Sequence, residues 1–350
     1  MRRIKAIVYG VGTMGKIMTR YMVEKGVDIV GAIDVNRDIV GKDLGEVAGL
    51  GRPLNVKISD NADTVLSEQE ADIAIVAVFT QMDRMYPIFK QCIENGLNVL
   101  TLSEEALYPW EVSPQLAAKL DKLAKKHGVT ISASGTQDSF RVNLMAVLTG
   151  ASHTIESISV RQTGDLSQSG QVAMVNYHIG ETKDEFYQKT REKRVPLSTL
   201  TMCLEAIIAD LGLTIKKEEQ SAEPATDEMD VEAKSFGIVK KGLVNGMTKI
   251  IDIGTEEGIK FHGEQTMKVF NEDEKAEGEL NECYVKGVPA LHLRITIHDI
   301  EAKSSIAAHI INRISDVINS EPGYITVEKL AKLKFRAFPL QCYLKRGGEK

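Results

Sequence analysis

Hydrophobic and polar positions along the first 134 residues alternate between short apolar runs and helical patterns. The apolar runs are Ile4–Tyr9, Asp28–Ile33, Ile73–Val78, Leu97–Leu102 and Val129–Ala133. Three segments between them carry apolar residues at helical spacing: Met14–Glu24, Arg84–Glu94 and Pro114–Lys126. Strands that alternate with helices form a parallel sheet covered by helices on both faces. We therefore predict a doubly wound α/β domain at the amino-terminal end of the chain.

The pattern changes after Gly135 to longer strand-like stretches with few helices between them. The stretches are Ile155–Gln162, Thr248–Gly254, Ile259–Val269 and Leu291–Ile297, and the helix candidates are Phe140–Leu148, Leu197–Leu211 and Ala302–Ile318. The segment Lys216–Glu232 is charged enough to be a solvated loop. Consecutive strands without intervening helices are typical of an antiparallel or mixed sheet. The second half is thus predicted to be a separate α+β domain.

Composition and charge exclude several classes of protein. The formal net charge is -6 over 350 residues, so we expect neither nucleic acid nor an anionic membrane as a partner. No apolar stretch approaches the roughly 18 residues that span a bilayer, and the amino-terminal apolar run is too short for a signal peptide. The four cysteines are too far apart for a zinc ribbon or a disulfide framework, which favours the cytoplasm.

A glycine-rich loop follows the first predicted strand directly. Its residues are Gly10, Val11, Gly12, Thr13, Met14 and Gly15, and a helical pattern begins at once. In this setting Gly10 permits a tight turn, Gly12 lets the backbone approach a pyrophosphate, and Gly15 allows close helix packing. The amino terminus of the helix supplies N–H donors for the phosphates. We therefore predict that this loop, including Thr13 and Met14, binds NAD or NADP.

The second predicted strand ends at Asp34, about twenty residues past this loop, as expected for a ribose-binding acid. Its carboxylate favours NAD because it would repel a 2′-phosphate. Asn36 and Arg37 follow immediately, and an arginine there can pair with that phosphate, so NADP stays possible. The alternative is an ordinary polar turn.

Ligands of open parallel sheets bind beyond the carboxyl ends of the strands. That rule selects Thr80 and Gln81 after one strand, and Ser103, Glu104 and Glu105 after the next. We assign Thr80, Gln81 and Ser103 to the cofactor site and the two glutamates to catalysis. The alternatives are a helix cap at Thr80 and Gln81, and acids that open a helical turn.

The run Ser103-Glu104-Glu105-Ala106-Leu107-Tyr108-Pro109-Trp110 resembles 2,4-diaminopentanoate dehydrogenases of ornithine fermentation and the related native amine dehydrogenases. The resemblance continues through residues 134–138 and 150–153 and resumes at 312–319 and 332–336. It implies a dihydrodipicolinate-reductase type of architecture. The implied domains are a Rossmann domain over residues 1–136, a substrate and oligomerisation domain over 137–301, and a helix and tail over 302–350 that return to the first domain.

The resemblance implies NAD(P)-dependent oxidative deamination of a diamino acid by a homodimer. A carboxylate keeps the amine neutral for hydride transfer and then activates water. Glu104 is preferred over Glu105 because it occupies the place of the catalytic lysine in the TANK-like run of homoserine dehydrogenases. Gln137 and Asp138 are candidates for the substrate amines, and Arg161 and Arg313 for its carboxylate. Asp138 as a helix cap, Arg161 as a solvent-facing strand residue and Arg313 in a structural ion pair are the alternatives.

Three other functions remain open from the sequence. One is an amine dehydrogenase that accepts simple ketones, and another is an imine reductase, although no basic cluster for a dicarboxylate is present. The third is a nucleotide-binding sensor without catalysis. No metal is expected, because neither HxH nor HExxH spacing links His153, His178 and His262.

Overall fold

The computed structural model describes residues 2–192, 198–298 and 302–345. The chain forms two compact units, one of residues 1–139 and 301–350 and the other of residues 140–300. The predicted domain limit at 136/137 lies three residues before the point, after residue 139, where the chain leaves the first unit. Residue 301, the other predicted limit, and Leu197, the start of a predicted helix, lie outside the described residues.

A seven-stranded parallel sheet forms the centre of the first unit. Its strands are β1 (Lys5–Tyr9), β2 (Asp28–Ile33), β3 (Ile58–Ser59), β4 (Ile73–Val76), β5 (Asn98–Thr101), β6 (Thr130–Ala133) and β15 (Gly323–Tyr324). The strand order is β15-β6-β5-β4-β1-β2-β3, so the direction of winding reverses between β1 and β4. This is the predicted doubly wound arrangement, and its switch point is where ligands bind in such sheets.

Helices cover both faces of this sheet because the strands are apolar on both sides. They are α1 (Thr13–Glu24), α2 (Leu44–Val47), α3 (Ala62–Glu68), α4 (Met82–Glu94), α5 (Pro109–Val112), α6 (Pro114–His127) and α12 (Ala302–Ile318), with a 3-10 turn at Leu340–Tyr343. Side chains of α1 and α12 share one core, which includes Met18, Met22, Ile310 and Ile314. The core on the opposite face contains Phe89 of α4 and Leu120 of α6.

The second unit is built on a six-stranded mixed sheet, as predicted. Its strands are β7 (Thr154–Asp165), β8 (Ile215–Thr226), β11 (Val244–Thr255), β12 (Lys260–Lys268), β13 (Glu279–Val288) and β14 (Leu291–Ile297), in the order β14-β13-β7-β12-β11-β8. Only the β7–β12 pair is parallel. Strands β9 (Val231–Ala233) and β10 (Gly237–Val239) form a separate ribbon.

A π-helical turn at Asp138–Asn143 spans the chain limit between the two units. The helices of the second unit are α7 (Leu144–Thr149), α8 (Gln171–Asn176), α9 (Lys183–Glu192), α10 (Thr199–Asp210) and α11 (Glu272–Glu277). The buried helix α10 packs against β12, where Leu200 and Leu204 contact Gly263. The π-helical turn occupies the start of the segment predicted as a single helix over Phe140–Leu148, and the α-helix begins only at Leu144.

The expectation of a solvated loop over Lys216–Glu232 is wrong. This segment contains β8, an edge strand paired only with β11, and then β9. Its charged residues 216–219 are exposed, and Pro224 is tolerated because an edge strand leaves backbone groups on one side unpaired. A strand of this kind has no apolar face, so its sequence reads like a loop.

A completely buried ion pair holds α12 to the end of β6. Arg313 donates two hydrogen bonds of 2.7 Å to the two carboxylate oxygens of Asp138, and both side chains are 0% exposed. The Arg313 guanidinium also pairs with Asp316 at 3.2 Å and donates to the carbonyl of Ala331. The arginine therefore joins three stretches of chain that are distant in sequence.

Replacement of Arg313 by Met should strongly destabilise the first unit. The change leaves the buried carboxylate of Asp138 without its cation, which typically costs about 3–5 kcal/mol in the free energy of unfolding. Chemical denaturation of Arg313→Met measures this loss. The matched control is Lys90→Met, which breaks an exposed helical pair with Glu94 and should leave stability nearly unchanged. Equal losses in the two variants would contradict the anchoring role.

Candidate active site

The glycine loop has the geometry of a phosphate-binding turn. Gly10 is left-handed at φ 99°, and a Cβ added to it would lie 2.3 Å from the carbonyl oxygen of Ala77. A Cβ on Gly15 would lie 2.0 Å from the carbonyl oxygen of Gly10. A Cβ on Gly12, by contrast, meets nothing within 4 Å. Gly10 and Gly15 are thus required by packing, whereas Gly12 faces open space where a ligand fits.

The amino terminus of α1 suits an anion. Gly12 is its N-cap and offers no capping side chain, and no acidic residue lies in the first turn, which Thr13 and Met14 begin. Uncapped N–H groups and the positive end of the helix dipole favour a phosphate at this position. The residues present therefore fit the pyrophosphate of a dinucleotide.

Asp34 joins the glycine loop to the end of β2. Its Oδ2 atom accepts from the backbone N–H of Val11 at 2.6 Å, and Oδ1 accepts from the N–H of Asn36 at 2.8 Å. A carboxylate has about four acceptor positions, so it retains capacity for ribose hydroxyls. Arg37, which follows, is exposed. Asp34 thus lies beside the loop, and the backbone of Asn36 is bonded to it.

Val35, which is not among the residues predicted from the sequence, is a candidate contact for the base of the dinucleotide. Its side chain is 81% exposed beside Asp34, an unusual position for a branched apolar residue. Phe79, after β4, is the second candidate, and the guanidinium of Arg84 stacks on its ring at 3.6 Å from the centroid. The sequence carries a signal for the first of these contacts, because an apolar residue directly follows the predicted ribose-binding acid. Such side chains are suited to packing against a planar base.

Hydrogen bonds join the segments that follow β4 and β5. Ser103 Oγ donates to the carbonyl oxygen of Thr80 at 2.8 Å, and the N–H of Glu105 donates to the same oxygen at 3.2 Å. The Glu105 carboxylate accepts from the N–H of Met82, the first residue of α4, at 2.8 Å. Gln81 is the N-cap of that helix, but its side chain makes no capping bond. Glu105 therefore replaces the missing cap.

The two adjacent glutamates consequently lie in different surroundings. Glu105 is half-buried, and its carboxylate is fixed by a hydrogen bond at the amino terminus of α4. Glu104 is exposed at the turn beyond β5, and its carbonyl accepts from the N–H of Leu107 at 3.1 Å. The exposed side chain is the one that can reach a ligand at this edge.

The predicted substrate residues are distributed over several environments. Gln137 is half-buried after β6. Asp138 accepts from Ser134 at 2.7 Å in addition to its bonds with Arg313. Because both members of this ion pair are 0% exposed, the geometry favours the alternative role of a structural pair for Arg313.

Close to this ion pair lies a buried imidazole. His309 of α12 makes hydrogen bonds with Ser139 Oγ and with the carbonyl oxygen of Ser305, the latter at 2.7 Å. Burial lowers the pKa of His309, and the positive charge of Arg313 acts in the same direction. The imidazole therefore takes up a proton less readily than a free histidine does.

Arg161 lies on the outer face of the second sheet. It is exposed on β7, in register with Glu264 of β12 and Glu282 of β13. These residues line a surface concavity of about 350 Å³ together with His262, Tyr284 and His292. Two flanking carboxylates favour the alternative of a solvent-facing strand residue. Within the described ranges, no three His, Cys, Asp or Glu side chains come together as metal ligands.

Comparison with protein families gives two matches that together cover most of the chain. Residues 141–335 match the model of the 2,4-diaminopentanoate dehydrogenase C-terminal domain. Residues 4–108 match the model of the dihydrodipicolinate reductase N-terminus. The first match spans more than half of the chain.

Individual relatives point the same way. A 2,4-diaminopentanoate dehydrogenase of Acetoanaerobium sticklandii is 26% identical over 351 residues, with 93% of each chain covered. An amine dehydrogenase structure from Mycobacterium smegmatis is 37% identical, with a TM-score of 0.86 and coverage of 96% of this chain and 98% of that one. A scyllo-inositol dehydrogenase of Lactobacillus casei, solved with NAD(H), shares only the fold, at 14% identity and a TM-score of 0.60 over 94% and 93% of the chains.

Two glycine variants should separate cofactor binding from folding. Gly12→Val places a branched side chain in the open space of the loop and should abolish NAD(P) binding while the protein remains folded. Gly15→Ala inserts a Cβ against the carbonyl of Gly10 and should lower the unfolding temperature. Calorimetric titration and thermal unfolding measure the two effects. Unchanged dinucleotide affinity in folded Gly12→Val would contradict the assignment of the loop.

Asp34→Ala should weaken NAD far more than NADP. The variant loses hydrogen bonds to a charged acceptor, for which we expect roughly a tenfold to hundredfold rise in KM for NAD. The variant also loses the acceptor for the N–H of Val11, so its unfolding temperature should be measured alongside the kinetics. Equal effects on the two cofactors would count against a ribose-binding role.

Proposed function

Because the chain belongs to the family of the 2,4-diaminopentanoate dehydrogenase C-terminal domain and is an NAD(P)-binding amine dehydrogenase, we propose that it oxidatively deaminates 2,4-diaminopentanoate. The proposed products are 2-amino-4-oxopentanoate, ammonia and NAD(P)H. The observation that carries the proposal is the pair Glu104 and Glu105 beyond the carboxyl end of β5, where the Glu105 carboxylate caps a helix and Glu104 is exposed.

We assign the role of general base to Glu104. Its neighbour Glu105 holds the N–H of Met82, and loss of that bond would leave the first turn of α4 uncapped. Glu104 is exposed at the edge of the sheet where ligands of doubly wound proteins bind. In this proposal Glu104 acts as the base, and Glu105 caps the first turn of α4.

The proposed reaction uses Glu104 for each proton transfer. The carboxylate first takes a proton from the substrate ammonium, because only the neutral amine can lose hydride from its carbon. The nicotinamide supplies the acceptor for that hydride. Glu104 releases its proton to solvent and then takes a proton from water as the water oxygen bonds to the iminium carbon, which gives a carbinolamine. Glu104 returns that proton to the nitrogen. The carbon–nitrogen bond then breaks as the hydroxyl proton passes back to Glu104, ammonia leaves, and a ketone remains.

Asp34 supports NAD as the preferred cofactor, since it presents a carboxylate beside the glycine loop. Arg37 is exposed close by and supports tolerance of the 2′-phosphate of NADP. Thr80, Gln81 and Ser103 complete the proposed cofactor site. The bond from Ser103 Oγ to the Thr80 carbonyl holds these segments together at 2.8 Å.

For the substrate we propose Gln137 as a direct polar contact and the Asp138–Arg313 pair as the group that positions it. The exposed cation Arg161 stays a weaker candidate for the substrate carboxylate because Glu264 and Glu282 flank it. A homodimer and a cytoplasmic location are further proposals, the first tested by light scattering. Among the described residues, no helix is long and apolar enough to cross a membrane.

A substrate panel tests the proposed activity. Absorbance of the reduced nicotinamide is followed with 2,4-diaminopentanoate, with plain amines and, in reverse, with ketones plus ammonia, each with both cofactors. Preference for the diamino acid supports the proposal, while preference for plain amines or ketones supports the amine dehydrogenase alternative. Reduction of a cyclic imine alone would indicate an imine reductase. No turnover with any compound, despite cofactor binding, would indicate a sensor.

Glu104→Gln should lower kcat by about a hundred- to ten-thousandfold, the usual contribution of a general base. The amide keeps the shape of the side chain but cannot accept the proton, so NAD(P) affinity should barely change. The acid side of the pH–rate profile should also flatten. Steady-state kinetics over a pH series measures both effects.

The matched control is Glu105→Gln. Its amide oxygen can still accept from the N–H of Met82, so we expect kcat close to that of the wild type. A dead Glu105→Gln beside an active Glu104→Gln would move the base by one residue. Normal deamination by both variants would refute the carboxylate mechanism.

A further inference from the structure

A π-helical turn follows the carboxyl end of β6. The strand ends at Ala133, and the turn covers Asp138–Asn143. Its second residue, Ser139, is half-buried and is the last residue of the first unit before the chain crosses to the second. Turns of this kind are rare and frequently occur at functional sites. The roles assigned above to Gln137 and Asp138 leave the hydroxyl group of Ser139 unexplained.

An imidazole of α12 lies against this hydroxyl group. Oγ of Ser139 and Nε2 of His309 are within hydrogen-bond distance, and both residues belong to the first unit. Nδ1 of the same imidazole lies 2.7 Å from the carbonyl oxygen of Ser305, one turn earlier in α12. A hydroxyl group, an imidazole and a carbonyl group thus form one hydrogen-bonded series.

The carbonyl group decides which nitrogen of His309 carries the hydrogen. A carbonyl oxygen only accepts hydrogen bonds, so Nδ1 must donate to Ser305. In the neutral imidazole Nε2 then has a lone pair, to which the hydroxyl group of Ser139 donates. The imidazole is therefore oriented as a general base towards the serine.

The surroundings of His309 favour the neutral imidazole. The residue is 7% exposed, and burial is the main cause that lowers its pKa. The charged groups that act on the imidazole are Arg313 of the same helix, which lowers the pKa further, and Asp138 of the turn, which opposes the shift. His309 therefore remains deprotonated to a lower pH than an ordinary histidine.

A serine bonded to an imidazole that a third group orients has the arrangement of an activated nucleophile. Because the hydrogen of Ser139 points to His309, the lone pairs of Oγ are left for another group. The residue before the serine, Asp138, is fixed by its two bonds to Arg313, which hold the turn in one position. The half-buried serine thus presents a fixed oxygen atom whose proton has an acceptor in place.

We propose that Ser139 is a second reactive centre, a nucleophile that accepts an acyl group from an activated ester or thioester. The bond from Oγ to the acyl carbon forms as the hydroxyl proton passes to Nε2 of His309. The bond from the acyl carbon to the alcohol or thiol then breaks, and the leaving group takes that proton. Water hydrolyses the acyl-serine by the same two proton transfers, which regenerates the hydroxyl group. Neither dinucleotide nor amine takes part, so this activity is independent of the proposed deamination.

The test uses the full chain without cofactor or amine. 4-Nitrophenyl acetate is the acyl donor, and the release of 4-nitrophenol is followed by absorbance. An alkyl fluorophosphonate traps the same serine irreversibly, and peptide mass spectrometry locates the modification. We expect a single modified residue, Ser139, in the folded protein. The rate of trapping should fall as His309 takes up a proton, at a pH below the roughly 6.5 of an ordinary histidine.

Three variants separate the nucleophile, the base and the fold. Ser139→Ala should lose the modification and release 4-nitrophenol no faster than the uncatalysed reaction. His309→Gln keeps an acceptor for the hydroxyl group but removes the base, so trapping should slow by about a hundred- to ten-thousandfold. The matched control is Ser67→Ala, which removes an exposed serine bonded only to the carbonyl of Thr64 and should leave trapping unchanged. Thermal unfolding shows whether each variant is folded.

Each possible failure has its own meaning. A wild type in which neither reagent modifies Ser139 overturns the proposal, whatever its dehydrogenase activity. Trapping that is spread over several serines, or that is equally fast in folded His309→Gln, also overturns it. The bond between Ser139 and His309 is then structural, and Ser139→Ala should lower only the unfolding temperature. A failed amine assay, by contrast, removes the proposed deamination and leaves the reactive serine in place.

Discussion

The buried guanidinium of Arg313 is the constraint on which the first unit depends. A charge that is completely removed from water is tolerated only when its counter-charges and hydrogen-bond acceptors are in place. For Arg313 these groups are Asp138, Asp316 and the Ala331 carbonyl. The guanidinium therefore fixes the end of β6, α12 and the segment around residue 331 relative to one another. Because Asp138 lies just past β6, this arrangement also fixes the residues at the ligand edge of the sheet.

That edge illustrates how identical side chains acquire different roles. Glu104 and Glu105 are adjacent in sequence, yet one carboxylate caps the helix that starts at Met82 and the other is exposed. A fixed cap keeps the β4 and β5 segments in register, with Ser103 bonded to the carbonyl of Thr80. A reactive carboxylate needs such a rigid support, since proton transfer requires hydrogen-bond distance. In our proposal the two roles therefore need both glutamates.

The sheet of the second unit has one packed face and one charged face. One face of its sheet packs against α10, whereas the other presents charged side chains such as Arg161 between Glu264 and Glu282. An antiparallel or mixed sheet with one solvated face alternates polar and apolar residues along each strand. At the edge strand β8 that alternation fails, and Pro224 is tolerated there.

The sequence by itself determines the doubly wound fold and the glycine loop followed by Asp34, because each depends on residues that are close together along the chain. Gly10, Gly12 and Gly15 act through backbone geometry that neighbouring residues largely determine. The charged edge strand β8 has the sequence pattern of a loop, since its partner β11 and not its own pattern makes it a strand. Only the tertiary structure decided that Arg313 meets Asp138, 175 positions away, and that Glu105 caps α4. It also decided that the imidazole of His309 lies against the hydroxyl group of Ser139. Contacts of this kind depend on how distant segments pack, which no local pattern of residues records.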